Sequence, residues 1–120
     1  MAVVELAVCL PAIVLLVLGS IEACSMVFVK QGLHIAAYEG IRRGILYDGT
    51  EDLVKTRCQQ ILDERQIKGA TIELTPAQPE TLEQGNELTV RITVPVQDNS
   101  LMRLSFFDGQ LEAEATMVKE

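Results

Sequence analysis

Residues 6–29 read LAVCLPAIVLLVLGSIEACSMVFV, and this stretch decides how the whole chain is interpreted. Nineteen of its 24 residues are apolar, and Glu22 is the one charged residue within it. A helix of about 20 predominantly apolar residues is long enough to cross the hydrocarbon core of a bilayer. The stretch therefore predicts that residues 1–30 form an apolar helix that can span a membrane.

The residues that flank this stretch bear on its orientation. No Lys or Arg precedes it and no small-residue cleavage site follows it, so it does not resemble a cleaved secretory signal. The nearest basic residues, Lys30, Arg42 and Arg43, lie on its C-terminal side. By the positive-inside rule they would place the rest of the chain in the cytoplasm. The opposite orientation stays open, because basic residues that once preceded Met1 could have been removed.

Two acidic residues, Glu5 and Glu22, lie where an apolar environment makes a charge costly. A carboxylate at the centre of a span costs roughly 2.5–3.5 kcal/mol on insertion scales, so we expect each to have a function and a partner. For Glu5 the nearest cation is the amino group at Met1, on the same copy or a neighbouring one. Glu22 and Lys30 are about 12 Å apart along a helix, so we expect them to pair between two shifted parallel copies. The alternative is that Glu22 reaches the membrane surface.

Pro11 introduces a weak point into the predicted helix. It removes the hydrogen bond to the carbonyl of Ala7, and Gly19 and Ser20 form a second weak point. Breaks in a helix that is exposed to lipid are unfavourable unless protein covers them. The helix can therefore bend or locally melt at these places, and we expect it finally to pack among other protein helices.

The helical pattern continues beyond the apolar stretch, and it predicts one helix over residues 2–46. On its polar side, Glu39 and Arg43 have the spacing of a favourable ion pair. Its apolar or small residues recur with a period near 3.6, which marks one buried stripe. The stripe consists of Leu33, Ala36, Ala37, Gly40, Ile41, Gly44 and Ile45.

The rest of the chain is predicted to add one helix and three strands. The helix covers residues 51–66, with Thr50 as its N-cap and Gly69 as its stop. Alternation with a period of two then marks three half-buried strands. Their inner face is predicted to be Ile72, Leu74, Leu88, Val90, Ile92, Val94, Leu111, Ala113, Ala115 and Met117. Together these elements predict an α+β fold, in which a long N-terminal helix continues into a small head over residues 31–120. In the head, the second helix and the helical stripe pack on a three-stranded antiparallel sheet.

The connection between the last two strands, residues 95–110, is unusually apolar for a loop. We expect its large apolar side chains to dock onto the sheet edge or onto another subunit. These side chains are Leu101, Met102, Leu104, Phe106 and Phe107.

Charge and residue types exclude several functions. The net charge is −7, and residues 70–120 hold nine acidic against three basic residues, which leaves no footprint for nucleic acid. The single histidine, His34, has no partners at catalytic or metal-ligand spacing, so we expect no enzymatic activity, no cofactor and no metal. The three cysteines, Cys9, Cys24 and Cys58, form no metal motif and are expected to be buried thiols.

Several motifs occur in a fixed order along the chain. They are Ala2-Val3-Val4-Glu5-Leu6-Ala7, Leu10-Pro11, Gly19-Ser20-Ile21-Glu22, Ala36-Ala37-Tyr38-Glu39-Gly40-Ile41-Arg42 and, at the closing strand, Ala113-Glu114-Ala115-Thr116-Met117. This order resembles the TadE-like proteins of tight-adherence pilus systems, within the wider class of type IV pilin-like proteins. Ala23-Cys24 depart from the pattern, since such proteins often carry an aromatic residue and glycine there.

The resemblance implies a structural subunit that polymerises through its N-terminal helix into a type IV pilus-like (Tad-type) surface filament for adhesion or attachment. It implies that a prepilin peptidase removes a basic leader before Met1, which places the head outside the cytoplasm, and that Glu5 acts in assembly. Pro11, Glu22 and Lys30 are the further positions that we expect to serve assembly.

The implied partners are other copies of the chain, the prepilin peptidase, the pilus assembly machinery and, before assembly, the inner membrane. Two alternatives stay open. One is a minor or initiating pseudopilin of a pilus or secretion apparatus, and the other is a monomeric membrane-anchored binding module.

Overall fold

A single long helix organises the molecule. The computed structural model describes residues 1–46, 49–75, 83–99 and 109–119. In chain order the elements are α1 (Ala2–Gly44), α2 (Glu51–Glu64), β1 (Thr71–Thr75), β2 (Glu87–Pro95), α3 (Val96–Asn99) and β3 (Gln110–Val118). The predicted α+β fold is therefore confirmed. The molecule measures 74 × 21 × 21 Å because the N-terminal half of α1 extends far beyond the other elements.

The C-terminal half of α1 supplies one wall of the hydrophobic core. All seven residues of the stripe predicted from Leu33 to Ile45 are buried, whereas Tyr38 on the other side of the helix is 50% exposed. The rotation of the helix is therefore as predicted, since a period of 3.6 residues gathers these positions on one face. Burial begins earlier than the stripe, at Glu22, Met26 and Val29.

The sheet forms the opposite wall of the core. Its strands pair antiparallel in the order β1-β2-β3, so β2 is the central strand of a simple meander. The predicted inner face is confirmed: its ten residues either are buried or pack against the buried cluster. Successive side chains of a strand point to opposite faces, so the alternate residues form the outer face.

The outer face of the sheet is polar and carries a small ion-pair network. Arg91 of β2 lies opposite Glu73 and Glu114 in the strand register. Its guanidinium is 3.1 Å from carboxylate oxygens of both Glu112 and Glu114. The hydrogen bond that Arg91 donates to Glu114 and the negative charge of Glu112 raise the pKa of Arg91 above its ordinary value. Exposed pairs of this kind contribute little to stability, and their main effect is to keep this face solvated.

Small residues of α1 allow two other elements to approach its backbone. A Cβ atom added to Gly44 would lie 2.7 Å from side-chain atoms of Leu88 in β2 and Val54 in α2. One added to Gly40 would overlap the Sγ atom of Cys58 in α2. The prediction that Gly40 faces the sheet is therefore wrong. The stripe is wide enough to contact both the sheet and α2, and at Gly40 the contact is with α2.

The two ends of α2 differ in how well the sequence predicts them. At the start, the Thr50 hydroxyl accepts a hydrogen bond from the backbone N–H of Leu53 at 3.3 Å, which confirms the N-cap. At the end, the helix stops at Glu64 and not at the predicted residue 66. Gln66 takes a φ of 59°, and the N–H of Ile67 donates to the carbonyl of Leu62 at 2.9 Å. This is the Schellman arrangement, with Gln66 where glycine is usual.

The Gln66 conformation leads to a stability prediction. Left-handed backbone costs a residue with a Cβ atom roughly 1–2 kcal/mol, and glycine avoids most of this strain. We expect Gln66→Gly to raise the free energy of unfolding by about 0.5–1 kcal/mol. Chemical denaturation of the full chain in detergent micelles measures the change.

The matched control for Gln66→Gly is Gln59→Gly. Gln59 is an exposed residue in the interior of α2, where glycine lowers stability by about 1 kcal/mol. Equal losses in both variants would show that the backbone of Gln66 is not strained.

α3 and its last residue were not predicted from the sequence. Asn99 binds the segment between α2 and β1: its Oδ1 accepts from the N–H of Lys68 at 2.8 Å. Its Nδ2 donates to the carbonyls of Lys68 at 2.8 Å and Pro95 at 3.1 Å. The local sequence pattern does not indicate this contact between Asn99 and Lys68. The five apolar residues expected to dock from the loop, Leu101, Met102, Leu104, Phe106 and Phe107, lie outside the described residues.

The ion pair predicted within α1 is also different in the structure. Glu39 pairs with Arg57 of α2 at 3.7 Å and not with Arg43. Because α2 packs beside α1, it offers a guanidinium on the same side as the Glu39 carboxylate. The pair therefore links the two helices.

Candidate assembly surface

The N-terminal half of α1 is the most unusual surface of the molecule. From Ala2 to Ile21 no residue is buried. An 18-residue window of this helix has a mean hydropathy of 2.6, and none of it is buried within the chain. By length and composition α1 is able to cross a membrane. Soluble monomers rarely expose an apolar surface of this size, so lipid or protein is required to cover it.

Three of the predicted assembly residues lie on this exposed segment. Met1, Glu5 and Pro11 are all exposed, and the backbone N–H of Glu5 donates to the carbonyl of Met1 at 3.1 Å. α1 continues as one helix through both weak points, Pro11 and Gly19-Ser20. At the second one, the Ser20 hydroxyl donates to the carbonyl of Leu16 at 2.7 Å, a bond within the helix that is compatible with its continuation.

Glu22 lies in a different environment from the one predicted. Its side chain is 0% exposed, and it takes part in a polar contact within its own chain. Among the described residues, no buried side-chain nitrogen or oxygen lacks a hydrogen-bond partner. The head, which begins to cover α1 at this residue, thus accommodates the carboxylate. The pairing of Glu22 with Lys30 of a second copy, and the alternative that Glu22 lies near a membrane interface, stay predictions.

The five predicted assembly residues are not brought together by the fold. They are distributed along one helix, with Met1, Glu5 and Pro11 on the exposed half, and with Glu22 buried and Lys30 half-buried beside the head. Any site that they form must therefore be completed by other molecules. The roles of Met1, Glu5, Pro11 and Lys30 in assembly stay predictions.

Beside the head, α1 keeps an exposed apolar face that the sequence analysis did not single out. Ile21, Val27, Phe28, Ile35 and Tyr38 are between 40% and 56% exposed. An open groove of about 480 Å³ runs along this face near residues 20–28. The guanidinium carbon of Arg65, at the end of α2, lies 5.5 Å from the centre of the Phe28 ring. Because 37 residues separate the two, no sequence pattern could have indicated this contact.

The three cysteines differ in environment, which corrects the prediction that all are buried. Cys9 and Cys24 are exposed on α1, and Cys58 is buried. The Cys58 thiol donates to the carbonyl of Ala36 at 3.3 Å, and burial raises the pKa of this thiol from 9.0 to about 11. It is therefore a packing residue at the contact between the two helices.

The pKa of Cys58 predicts how stability depends on pH. Because the unfolded thiol ionises at a pKa near 9.0 and the folded one near 11, the unfolded chain releases its proton first. The stability that this thiol contributes is complete below pH 9 and is lost as the pH rises through about 11. The loss is on the order of 2 kcal/mol.

Unfolding of the full chain at several pH values, compared with Cys58→Ala, isolates the contribution of the thiol. The variant keeps every other titrating group, so the difference between the two pH profiles reports on Cys58 alone. Parallel profiles would contradict the assignment.

Among the described residues, no three His, Cys, Asp or Glu side chains are arranged so that they could hold a metal ion. His34 is exposed on α1. The lack of enzymatic activity remains a prediction.

A small α+β head carried on an exposed apolar helix defines the structural class. Residues 1–42 match the family model described as TadE-like protein. This match confirms the resemblance predicted from the sequence, and it covers the exposed half of α1 and most of the half that enters the head. The match and the apolar helix together fit a membrane-associated protein related to Tad pili. No curated protein and no solved structure matches the chain.

Proposed function

We propose that this chain is a structural subunit of a Tad-type, type IV pilus-like filament at the cell surface. The filament would hold its subunits together through the N-terminal half of α1. The single observation that carries the proposal is that an apolar helical segment of about 20 residues projects unburied from a folded head. The TadE-like match over the same segment supports it.

The geometry of α1 supports storage in a membrane before assembly in a filament. Residues 2–21 extend about 30 Å as a helix, which equals the hydrocarbon thickness of a bilayer. The burial of Glu22 supports this arrangement, because its carboxylate is covered within the chain and would not face lipid. Transfer to a filament would replace lipid around the segment by helices of other copies.

The partners of this function follow from the same surface. The subunit would contact other copies of itself, a prepilin peptidase and the pilus assembly machinery, and it would reside in the inner membrane before export. Its work is structural, so we propose no catalytic activity, no cofactor and no nucleic-acid partner. Adhesion or surface attachment is the proposed use of the filament.

Electron microscopy of material sheared from cells tests the proposal. Antibodies against the head should label filaments along their whole length, and the chain should be a main component of the purified filaments. Sparse label restricted to one filament end would favour a minor, initiating pseudopilin. A chain confined to the membrane fraction as a monomer, in cells that make filaments normally without it, would contradict the proposal.

A further inference from the structure

A cleft between α1 and α2 gathers positive charge on one side of the head. It has a volume of about 160 Å³, and the residues that line it are Glu39, Arg42, Arg43, Leu46 and Arg57. It therefore holds three guanidinium groups and one carboxylate, in a chain whose net charge is −7. We call this group of residues the arginine cleft.

The positive charge of the arginine cleft is only partly neutralised within the chain. Glu39 pairs with Arg57 at 3.7 Å, and Arg57 also donates to the amide oxygen of Gln60 at 3.0 Å. Arg42 and Arg43 form no ion pair with any residue that the structure describes. Both lie in the last turn of α1, where a cation interacts favourably with the helix carbonyl groups. The helix end thus favours their charge and leaves their guanidinium groups available to an acidic partner.

The outer face of the sheet carries the reverse balance of charge. Glu73 lies opposite Arg91 in the strand register, and the carboxylates of Glu112 and Glu114 pair with its guanidinium. All four side chains are exposed. Because one guanidinium cannot neutralise three carboxylates, this acidic face keeps a net negative charge.

The arginine cleft and the acidic face point in opposite directions from the head. The acidic face points away from the core, since the other face of the sheet is buried. At about 100° per residue, Arg42 and Arg43 lie on the side of α1 opposite its buried stripe. Leu88 lies against Gly44 of α1, and Arg91 is three residues further along β2. The two groups therefore differ in level along α1 by at most about 10 Å.

We propose that the arginine cleft of one copy binds the acidic face of a second copy. The inference rests on the proposed function and deepens it, because it adds a contact between heads to the contact between apolar helices. Two copies that stand parallel in a membrane or a filament bring opposite sides of their heads together without rotation of either copy. A contact between different surfaces of identical molecules leaves one of each surface free, so further copies add on both sides.

Charge identifies a second copy as the partner. Copies that each have a net charge of −7 repel one another, so association requires local attraction. Complementary patches supply this attraction and determine which faces meet, whereas two acidic faces or two arginine clefts repel. A small inorganic anion would neutralise the cleft alone and would leave the acidic face without a partner.

Cysteine cross-linking of the full chain in cells tests which faces meet. In a chain with Cys9→Ala and Cys24→Ala, Leu46→Cys marks the arginine cleft and Thr116→Cys marks the acidic face, and both positions are exposed. A short bis-maleimide should give dimers, trimers and longer products, because each copy carries one cysteine on each face. Chains with Leu46→Cys alone or Thr116→Cys alone are the matched controls and should give no dimer.

Charge reversal tests what holds the two faces together. In the chain with both cysteines, Arg42→Glu with Arg43→Glu should lower the cross-linked fraction roughly tenfold, because like charges then meet. Lys55→Glu with Lys68→Glu changes the net charge by the same amount outside the cleft and should lower the fraction far less. Amide hydrogen exchange of β2 should show that the head of each variant is folded.

Co-expression of two altered chains tests whether the partner is a second copy. One chain carries the two arginine reversals with Leu46→Cys, and the other carries Glu112→Lys and Glu114→Lys with Thr116→Cys. Each chain should cross-link poorly to a partner with natural charges. Together they should recover the original cross-linked fraction, because the facing charges are again opposite, and a folding defect would not be rescued in this way.

Three results would overturn the proposal. They are dimers of equal yield from a single-cysteine chain, an unchanged cross-linked fraction after both arginines are reversed, and no recovery in the co-expressed pair. The last result would assign the arginine cleft to an anion other than this chain. Filaments are counted separately by microscopy. Normal filaments without cross-linked products would remove the head contact and leave the filament role, and cross-linked products in cells without filaments would do the reverse.

Discussion

Replacing Gly40 with leucine will unfold or strongly destabilise the head. A single Cβ atom at this position would already overlap the Sγ atom of Cys58, and the remaining atoms of leucine have no space between α1 and α2. Adding atoms to a packed core typically costs about 1–3 kcal/mol, and here we expect at least the upper end of that range. In a small head whose total stability is on the order of 5 kcal/mol, this removes more than half of the free energy of unfolding. Amide hydrogen exchange of β2 in the full chain, in detergent micelles, measures the loss.

Two controls connect this result to the contact with Cys58. Tyr38→Ala changes an exposed residue two positions away and should leave β2 protected from exchange. Gly40→Ala should destabilise the head, and adding Cys58→Ala should restore much of the loss. Without Sγ, the other atoms near the new methyl group belong to Val54, at 3.5 and 3.6 Å, which is ordinary contact. Strictly additive effects of the two alanines would refute the proposed clash.

The second large effect is expected at Glu5, where Glu5→Ala should prevent filament assembly. Glu5 is exposed on the apolar half of α1, so in a filament it would be surrounded by apolar helices and would need a cation. The resemblance to pilin-like proteins implies that this cation is the amino group at Met1. Breaking a buried ion pair from one side costs about 3–5 kcal/mol because the other charge stays unpaired. The number of filaments in micrographs of cells that carry the variant measures the effect.

Separate measurements distinguish assembly from maturation and folding. The mass of the mature chain in Glu5→Ala cells should differ from the wild-type mass only by the substitution itself, which shows intact processing. The head should stay folded, because Glu5 lies outside the core. Val4→Ala, a neighbouring exposed position, serves as the matched control and should assemble. Normal filaments in Glu5→Ala cells would remove Glu5 from the assembly site.

Local periodicity predicted most of the fold. The 3.6-residue stripe of α1 and the two-residue alternation of the strands give the correct inner faces, because burial in one core imposes these periods on the sequence. The start of α2 was also predictable, since Thr50 caps it through its own side chain. The end of α2 was not predictable. Gln66 adopts the left-handed backbone conformation that ends the helix, whereas the sequence indicates Gly69 for this position because glycine adopts that conformation more easily.

The parts that sequence reasoning missed depend on contacts between distant residues. The neighbours of Glu22 in the sequence are apolar and predict an exposed position in a membrane span, yet Glu22 is fully buried in the folded chain. The pairing of Gly40 with Cys58, of Glu39 with Arg57 and of Phe28 with Arg65 arises from how α2 lies beside α1. Such lateral placement leaves no period in the sequence, so sequence periodicity could not have indicated these contacts.

The unbroken course of α1 from Ala2 to Gly44 has a mechanical consequence. Its two halves belong to one continuous helix. The N-terminal half, which other molecules would hold, and the half that the sheet covers therefore rotate together as one rigid rod. Each residue of a helix advances the rotation about the helix axis by about 100°. The direction in which the sheet points is therefore set by the rotation angle at which the N-terminal half would be held. Tension along α1 would likewise be transmitted directly to the core of the head, because no break separates the two halves of the helix.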